Sequence, residues 1–135
     1  MKPDLGISVE AGIAGDHPGG RPDFTQERLG AGPVLYLADA QMLVNRNLRA
    51  FFERIAAEKG IAVQTEITGG GAEDSAEMQK WDTGRPSINF AVAVRYLHGH
   101  HAMLERRDID QSIDLLVAVV SQLNRESVKA ITTFQ

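Results

Sequence analysis

Three of the four histidines fall within Tyr96-Leu97-His98-Gly99-His100-His101, directly after the apolar run Ile88 to Val94. Imidazole is a common ligand for zinc and related ions, and α/β proteins often place such groups in the loop that leaves a strand. On spacing alone, His-x-His-His reads as polar loop residues rather than as a metal site, because short motifs match often by chance. Glu10 is a second candidate. It interrupts the apolar stretch Val9-Glu10-Ala11, where a buried carboxylate would need a cation or a proton and an exposed one would need nothing.

Gly69-Gly70-Gly71 could offer backbone N–H groups to an anion. No Gly-Lys-Ser/Thr or Gly-x-Gly-x-x-Gly pattern completes it, so it also reads as a turn or a site of close backbone packing. The paired acids Glu73 and Asp74 suit the start of a helix. Nucleophilic catalysis of the serine type has no support: Gly-x-Ser-x-Gly is absent, and Ser75, Ser87, Ser112 and Ser121 sit in ordinary contexts. With no cysteine, a transition metal would have to be held by histidine and carboxylate ligands.

Composition narrows the partners. A chain of 135 residues, 43% hydrophobic and 24% charged, fits one compact domain. A formal net charge of -4 provides no field for gathering phosphates, so nucleic acid is not expected as a partner. The start Met1-Lys2-Pro3-Asp4 lacks a signal-like apolar run, and no stretch reaches the roughly 18 apolar residues of a membrane span. A cytoplasmic protein with no membrane contact is expected.

The elements that must position these residues follow from periodicity. Leu5 to Val9 reads as a strand breaking into the turn-rich Gly12 to Gly20, and Arg21 to Arg28 has no clear period. Val34 to Leu37, released by Gly32-Pro33, reads as a central strand buried on both faces. Val44, Leu48, Phe51, Phe52 and Ile55 have helical spacing, with Gly60 as the left-handed stop. Ile61, Val63, Thr65 and Ile67 alternate as one side of a strand. Glu73 to Trp81 reads as a short helix with Met78 and Trp81 inward, and Ser87 to Val94 as another buried strand. Asp108, with Gln111 three residues on, reads as the cap of a last helix burying Ile109, Ile113, Leu116, Val117 and Val120. No element is assigned after Asn124. The alternation implies an α/β fold, layered α/β/α with a mostly parallel sheet.

Taken in order, the segments resemble the glutamyl aminopeptidase family, which includes the tetrahedral aminopeptidases and whose members are also labelled endoglucanase or cellulase. The resemblance runs through Ile7-Ser8-Val9-Glu10, Ala14-Gly15-Asp16-His17-Pro18-Gly19, Leu29-Gly30-Ala31-Gly32-Pro33-Val34 and Gly60-Ile61-Ala62-Val63-Gln64. It continues through Gly69-Gly70-Gly71, Asp74, Gly84-Arg85-Pro86, Arg95-Tyr96-Leu97-His98 and Asp108-Ile109-Asp110. Their order and spacing carry the likeness, over nearly the whole chain.

That resemblance implies that residues 1–135 form the C-terminal part of the catalytic domain of a dinuclear-metal aminopeptidase, hydrolysing N-terminal residues from peptide substrates. His98 matches the ligand of the family's Arg-Tyr-Ile-His-Ser, with Gly99 in place of the serine. Glu10 stands where the family has the acid of an Ala-Val-Asp-Val-like strand. Gly70, Gly71 and Asp74 match its Gly-Gly-Thr-Asp-Ala-Gly loop, here with altered flanks, and become candidate substrate-binding residues. The family's site holds two divalent metals, zinc or cobalt, which share a bridging aspartate and a water and polarise the scissile carbonyl while a glutamate acts as general base. Glu10 and His98 would bind different metals of that pair.

The first histidine, the bridging aspartate, the Glu-Glu pair that includes the general base, and the inserted dimerisation domain all belong to the part of the family upstream of these segments. No catalytic residue proper is therefore assigned within the chain. It is expected to be inactive alone, with its metal positions unfilled, and homo-oligomeric in the full-length form. A non-enzymatic half-domain serving as an interaction or assembly module is the alternative. Carbohydrate hydrolysis, suggested only by the older labels, would need an acid and a base across a sugar cleft, and the sequence specifies no such pair.

Overall fold

The computed structural model describes residues 2–21 and 23–133. Among these described residues nine elements follow one another: β1 (Gly6–Ile13), β2 (Val34–Ala38), α1 (Arg46–Lys59), β3 (Gln64–Ile67), α2 (Ser75–Met78), β4 (Ser87–Arg95), β5 (Met103–Leu104), α3 (Arg106–Gln122) and α4 (Arg125–Thr132). The sheet runs β1-β4-β2-β3, with β5 paired to the end of β4. β1 lies parallel to β4 over the full register from Gly6–Ser87 to Ile13–Val94, and β2 lies parallel to β3. The direction reverses between β2 and β4 and again at β5. The sheet is therefore mixed, with most of its paired register parallel, inside the α/β class expected.

Strand alternation divides the sheet into two unlike faces. Leu35, Ile88 and Phe90 point to the first, where α1, α3 and α4 bring Leu48, Phe52, Ile55, Leu115, Val119 and Ile131. Phe52 and Phe90 meet there with ring centroids 5.8 Å apart. The second face carries a smaller apolar cluster of Val34, Tyr36, Ala91 and Ala93 with Ala14, Met42 and Ala76. Its outer layer is thin, consisting of loops and the single turn of α2. This is the face on which polar residues gather.

Local signals fix the helix ends. Asn45 caps α1 by accepting from Leu48 N–H at 2.9 Å, and Gly60 stops it in the left-handed region at φ 66°. Asn124 opens α4, which the sequence did not reveal, through a capping box with Ser127. α3 begins earlier than expected, with Glu105 as its N-cap. Asp108 instead lies fully buried and accepts the N–H groups of Gly30 (2.7 Å) and Gly32 (3.0 Å), pinning the loop before β2.

Three expected burials are also corrected. α3 buries the stripe Asp108, Ser112, Leu115, Ala118 and Val119, while Ile113, Val117 and Val120 are more than half exposed. Two apolar stripes lie side by side on this helix, and only packing against β4 and α1 chooses between them. β3 is shorter than Ile61 to Ile67. Its buried residue is Glu66, and Ile67 is exposed, because only Ile61 and Val63 reach the helix-side core. Trp81, past the end of α2, is exposed rather than inward. No helix among the described residues is long and apolar enough to cross a membrane.

Candidate functional site

His98 owes its position to a turn in which the backbone is held out of its usual range. β4 ends at Arg95, and Tyr96 and His98 then adopt φ values of 60° and 66°, a left-handed conformation that costs a non-glycine residue about 1 kcal/mol. Three contacts maintain it. Arg95 donates from Nε and Nη2 to the two Asp16 carboxylate oxygens at 2.8 and 2.7 Å. Gly99 N–H donates to Tyr96 O at 3.0 Å. The rings of His17 and Tyr96 pack at a tilt of 50° with centroids 4.7 Å apart. Strain retained at a strand end is commonly associated with function.

A cleft of about 410 Å³ opens at the end of the sheet beside this turn. Glu10 from β1, Gly70 and Gly71 from the loop after β3, and Leu97 and His98 from the turn after β4 all line it. Four of the five expected site residues are thus brought together from three separate segments. Asp74 is the exception. It is exposed at the start of α2, where its side chain makes no capping bond, and it does not line the cleft. His100 and His101 are exposed and lie outside the cleft as well.

The glycine loop is tied down from below. Asn89, fully buried on β4, accepts from Ser8 Oγ at 2.5 Å and from Ser75 Oγ, and donates to Asp39 at 2.9 Å. Asp39 also accepts the N–H groups of Gln41 and Met42, both at 2.7 Å, and that of Glu73 at 3.4 Å. The end of β2, the glycine loop and α2 therefore share one polar anchor on the sheet.

Carboxylates dominate the cleft's electrostatics. Glu66 is buried, and its Oε2 accepts from Gln26 N–H at 2.7 Å and Thr25 Oγ1 at 3.3 Å. Burial nevertheless pushes its carboxyl above the usual range, those bonds offsetting only part of the shift. Behind it Glu27, also buried, accepts from Tyr36 Oη at 2.6 Å. Its carboxyl is pushed up to about 7, chiefly by burial and further by Glu66 and Glu73. Half-buried Glu73 is likewise raised, first by burial and then by Glu10, Asp39 and Asp74, with His98 acting in the opposite sense. Burial and the neighbouring Glu27 also raise the Tyr36 phenol.

Sequence reasoning passed over Glu27 and Glu66 and read Glu73 only as part of a helix start. A signal existed for Glu66, since its phase in β3 is opposite to that of the apolar residues, and an acid in a strand can be an inward one. Glu27 has no comparable signal, because a loop with no period does not show which of its side chains turn inward.

The sequence pattern of the M42 glutamyl aminopeptidases matches residues 1–115. The chain belongs to this family. FrvX of Escherichia coli K12 is 30% identical over 135 residues, covering 100% of this chain and 38% of that protein. A TET aminopeptidase from a marine-sediment Thaumarchaeota archaeon is 30% identical with a TM-score of 0.91, over 96% of this chain and 36% of that one. TET1 of Pyrococcus horikoshii, solved as a dodecamer in the asymmetric unit, is 25% identical with a TM-score of 0.76, over 91% and 35%. This M42 chain thus spans little more than a third of the length of such relatives.

Glu10 and His98 offer one carboxylate and one imidazole, the donor chemistry that zinc or cobalt accepts. Among the described residues no three histidine, aspartate or glutamate side chains form a metal-holding group. The pair fits as part of a metal site, since a closed or catalytic centre takes about three protein ligands or more.

Proposed function

We propose that residues 1–135 are the C-terminal part of an M42 catalytic domain and that they contribute to a metal-dependent aminopeptidase site. Glu10 and His98 would each hold one ion of a zinc or cobalt pair. The remaining ligands and the general base would come from the rest of the domain, and the chain alone would be inactive. The observation that carries this reading is that two residues 88 positions apart in sequence, Glu10 and His98, meet at one cleft together with Gly70 and Gly71.

Bound there, divalent ions would polarise the scissile carbonyl and activate water for its hydrolysis. The chain's own residues would do the positioning. Backbone N–H groups at Gly70 and Gly71 would orient the peptide. Assembly of several copies, as in the dodecameric relative, would enclose such sites, and the full-length protein is proposed to be a homo-oligomer in the cytoplasm.

Cobalt titration of isotope-labelled chain tests the metal half of the proposal. Paramagnetic broadening should centre on Glu10 and His98, and the part around His98 should disappear in His98→Ala. Broadening centred instead on His100 and His101, or unchanged in the variant, would remove the basis for the site. Aminoacyl-anilide assays of the chain should show no metal-dependent hydrolysis.

A further inference from the structure

Between β1 and β2 the chain passes through a segment, residues 25–28, in which Thr25 and Glu27 turn inward while Gln26 and Arg28 face solvent. Bonds hold it on both sides. Toward β1, Thr25 Oγ1 donates to Ile13 O, and Gly15 N–H donates to Glu27 O at 3.1 Å. Toward β3, Gln26 N–H donates to Glu66 Oε2 at 2.7 Å, Arg28 N–H to Gln64 Oε1 at 2.9 Å, and Ile67 N–H to Gln26 Oε1 at 3.1 Å. The segment also separates two spaces. Thr25 lines both the cleft of Glu10 and His98 and a second cavity of about 530 Å³, which Glu27 and Arg28 line as well. Phe24, just before it, is part of the cleft wall.

Glu27 has no latitude beneath this segment. A Cβ on Gly12 would lie 2.0 Å from its Oε2, the residue is 1% exposed, and Oε2 has no hydrogen-bond partner. Such a seat suits a neutral carboxylic acid and leaves a carboxylate with a charged oxygen that neither water nor a donor reaches. Tyr36 on β2 supplies one donor, to Oε1, and β1 meets the group with uncharged Gly12. The charges acting on it, Glu66 on β3 and Glu73 in the loop beyond, have its own sign. Asp16, His17 and Arg28 stand around the second cavity.

We propose that residues 24–28 are a strap released by pH: when Glu27 ionises, its carboxylate turns toward water, the strap lifts, and the second cavity joins the cleft. Burial is the main cause holding the folded carboxyl at about 7, against an ordinary 4.5 that solvation in the lifted state restores. Between those values each unit of pH favours lifting about ten-fold more, and above about 7 the gain levels off. This goes beyond the aminopeptidase reading and needs no metal.

Native-state amide hydrogen exchange on the full chain tests it, with rates corrected for the intrinsic pH dependence of exchange. Protection at Gly15, Gln26, Arg28 and Ile67 should fall at least about ten-fold from pH 5 to pH 7 and then hold nearly steady to pH 8.5. Low urea should leave these four rates almost unchanged while speeding exchange at Phe90 and Ala91 of β4, because lifting a strap exposes little surface and unfolding exposes much. Glu27→Gln should flatten the pH dependence at all four amides, and Glu77→Gln on α2 should leave it intact. Tyr36→Phe removes the bond that favours the Glu27 carboxylate, so its plateau should begin above pH 7, a displacement that looser packing alone would not produce. If Glu27→Gln does not fold, that displacement decides, and an unmoved plateau overturns the proposal. Flat protection in the unaltered chain, unchanged pH dependence in Glu27→Gln, or exchange of the four amides only together with β4 would overturn it equally.

Discussion

Arg95 grips both oxygens of the Asp16 carboxylate, at 2.8 and 2.7 Å, and so ties the loop after β1 to the turn that presents His98. Asp16 Oδ2 also accepts Leu29 N–H at 3.1 Å, which draws the approach to β2 into the same junction. A fork of this kind fixes orientation as well as distance.

Asp16→Asn should loosen that junction. The Arg95 bond, and to a lesser degree the Leu29 N–H, hold the Asp16 carboxyl below its ordinary value of 3.8. Its stabilisation is therefore complete above that value and is lost as pH falls through the lower folded one. Thermal melts of the two proteins should differ at pH 6 and converge at strongly acidic pH. A constant difference across that range would show that the charge is not what matters.

His98→Gly separates the ligand from the fold. Glycine accepts the φ of 66° without steric penalty, so stability should hold or rise by up to about 1 kcal/mol, while the cobalt response at position 98 is lost. Denaturant unfolding beside the metal titration checks both halves.

Gly12→Ala should destabilise the chain by about 1 to 3 kcal/mol. A Cβ at this position would lie 2.0 Å from Glu27 Oε2, and β1 is held in register with β4 along its whole length, so the strand cannot move aside alone. Urea unfolding of the variant measures the loss. A neutral result would mean that Glu27 has room to turn away.

Glu27→Gln should change how stability depends on pH. The folded carboxyl is raised from 4.5 to about 7, so between those values the unfolded chain releases a proton that the folded chain keeps. Stability then falls as pH rises through that window and levels off above it. The variant, which can keep an acceptor for Tyr36 Oη, should lack this contribution, on the order of 1 to 3 kcal/mol. Unfolding midpoints at pH 4.5 and pH 8 decide it, and parallel slopes in the two proteins would refute the raised carboxyl.

The elements most legible in the sequence were those specified by local rules. α1 follows from Leu48, Phe52 and Ile55 at helical spacing and from Gly60 at its end, and β2 and β4 from largely apolar runs with turn formers before them. Asp108 shows where local reading stops. Its place ahead of an apolar run matched a helix cap, yet its carboxylate is buried under two backbone N–H groups donated from about 76 residues away in sequence. α3 shows the same limit in another form, because Leu115 and Val119 are no more apolar than Val117 and Val120, and only the neighbouring β4 and α1 select the stripe that is buried.

By itself the sequence determined the α/β class, the main helix and central strands, and the family motifs that single out Glu10, His98, Gly70 and Gly71. These depend on periodicity, capping and ordered spacing, all of which are properties of residues near one another along the chain. The tertiary structure alone decided that these motifs converge on one cleft, that Asp74 stays outside it, and that Glu66 and Glu73 line it with Glu27 buried nearby. Burial and the electrostatics of neighbouring carboxylates arise from segments meeting in space, and no local pattern encodes which segments will meet.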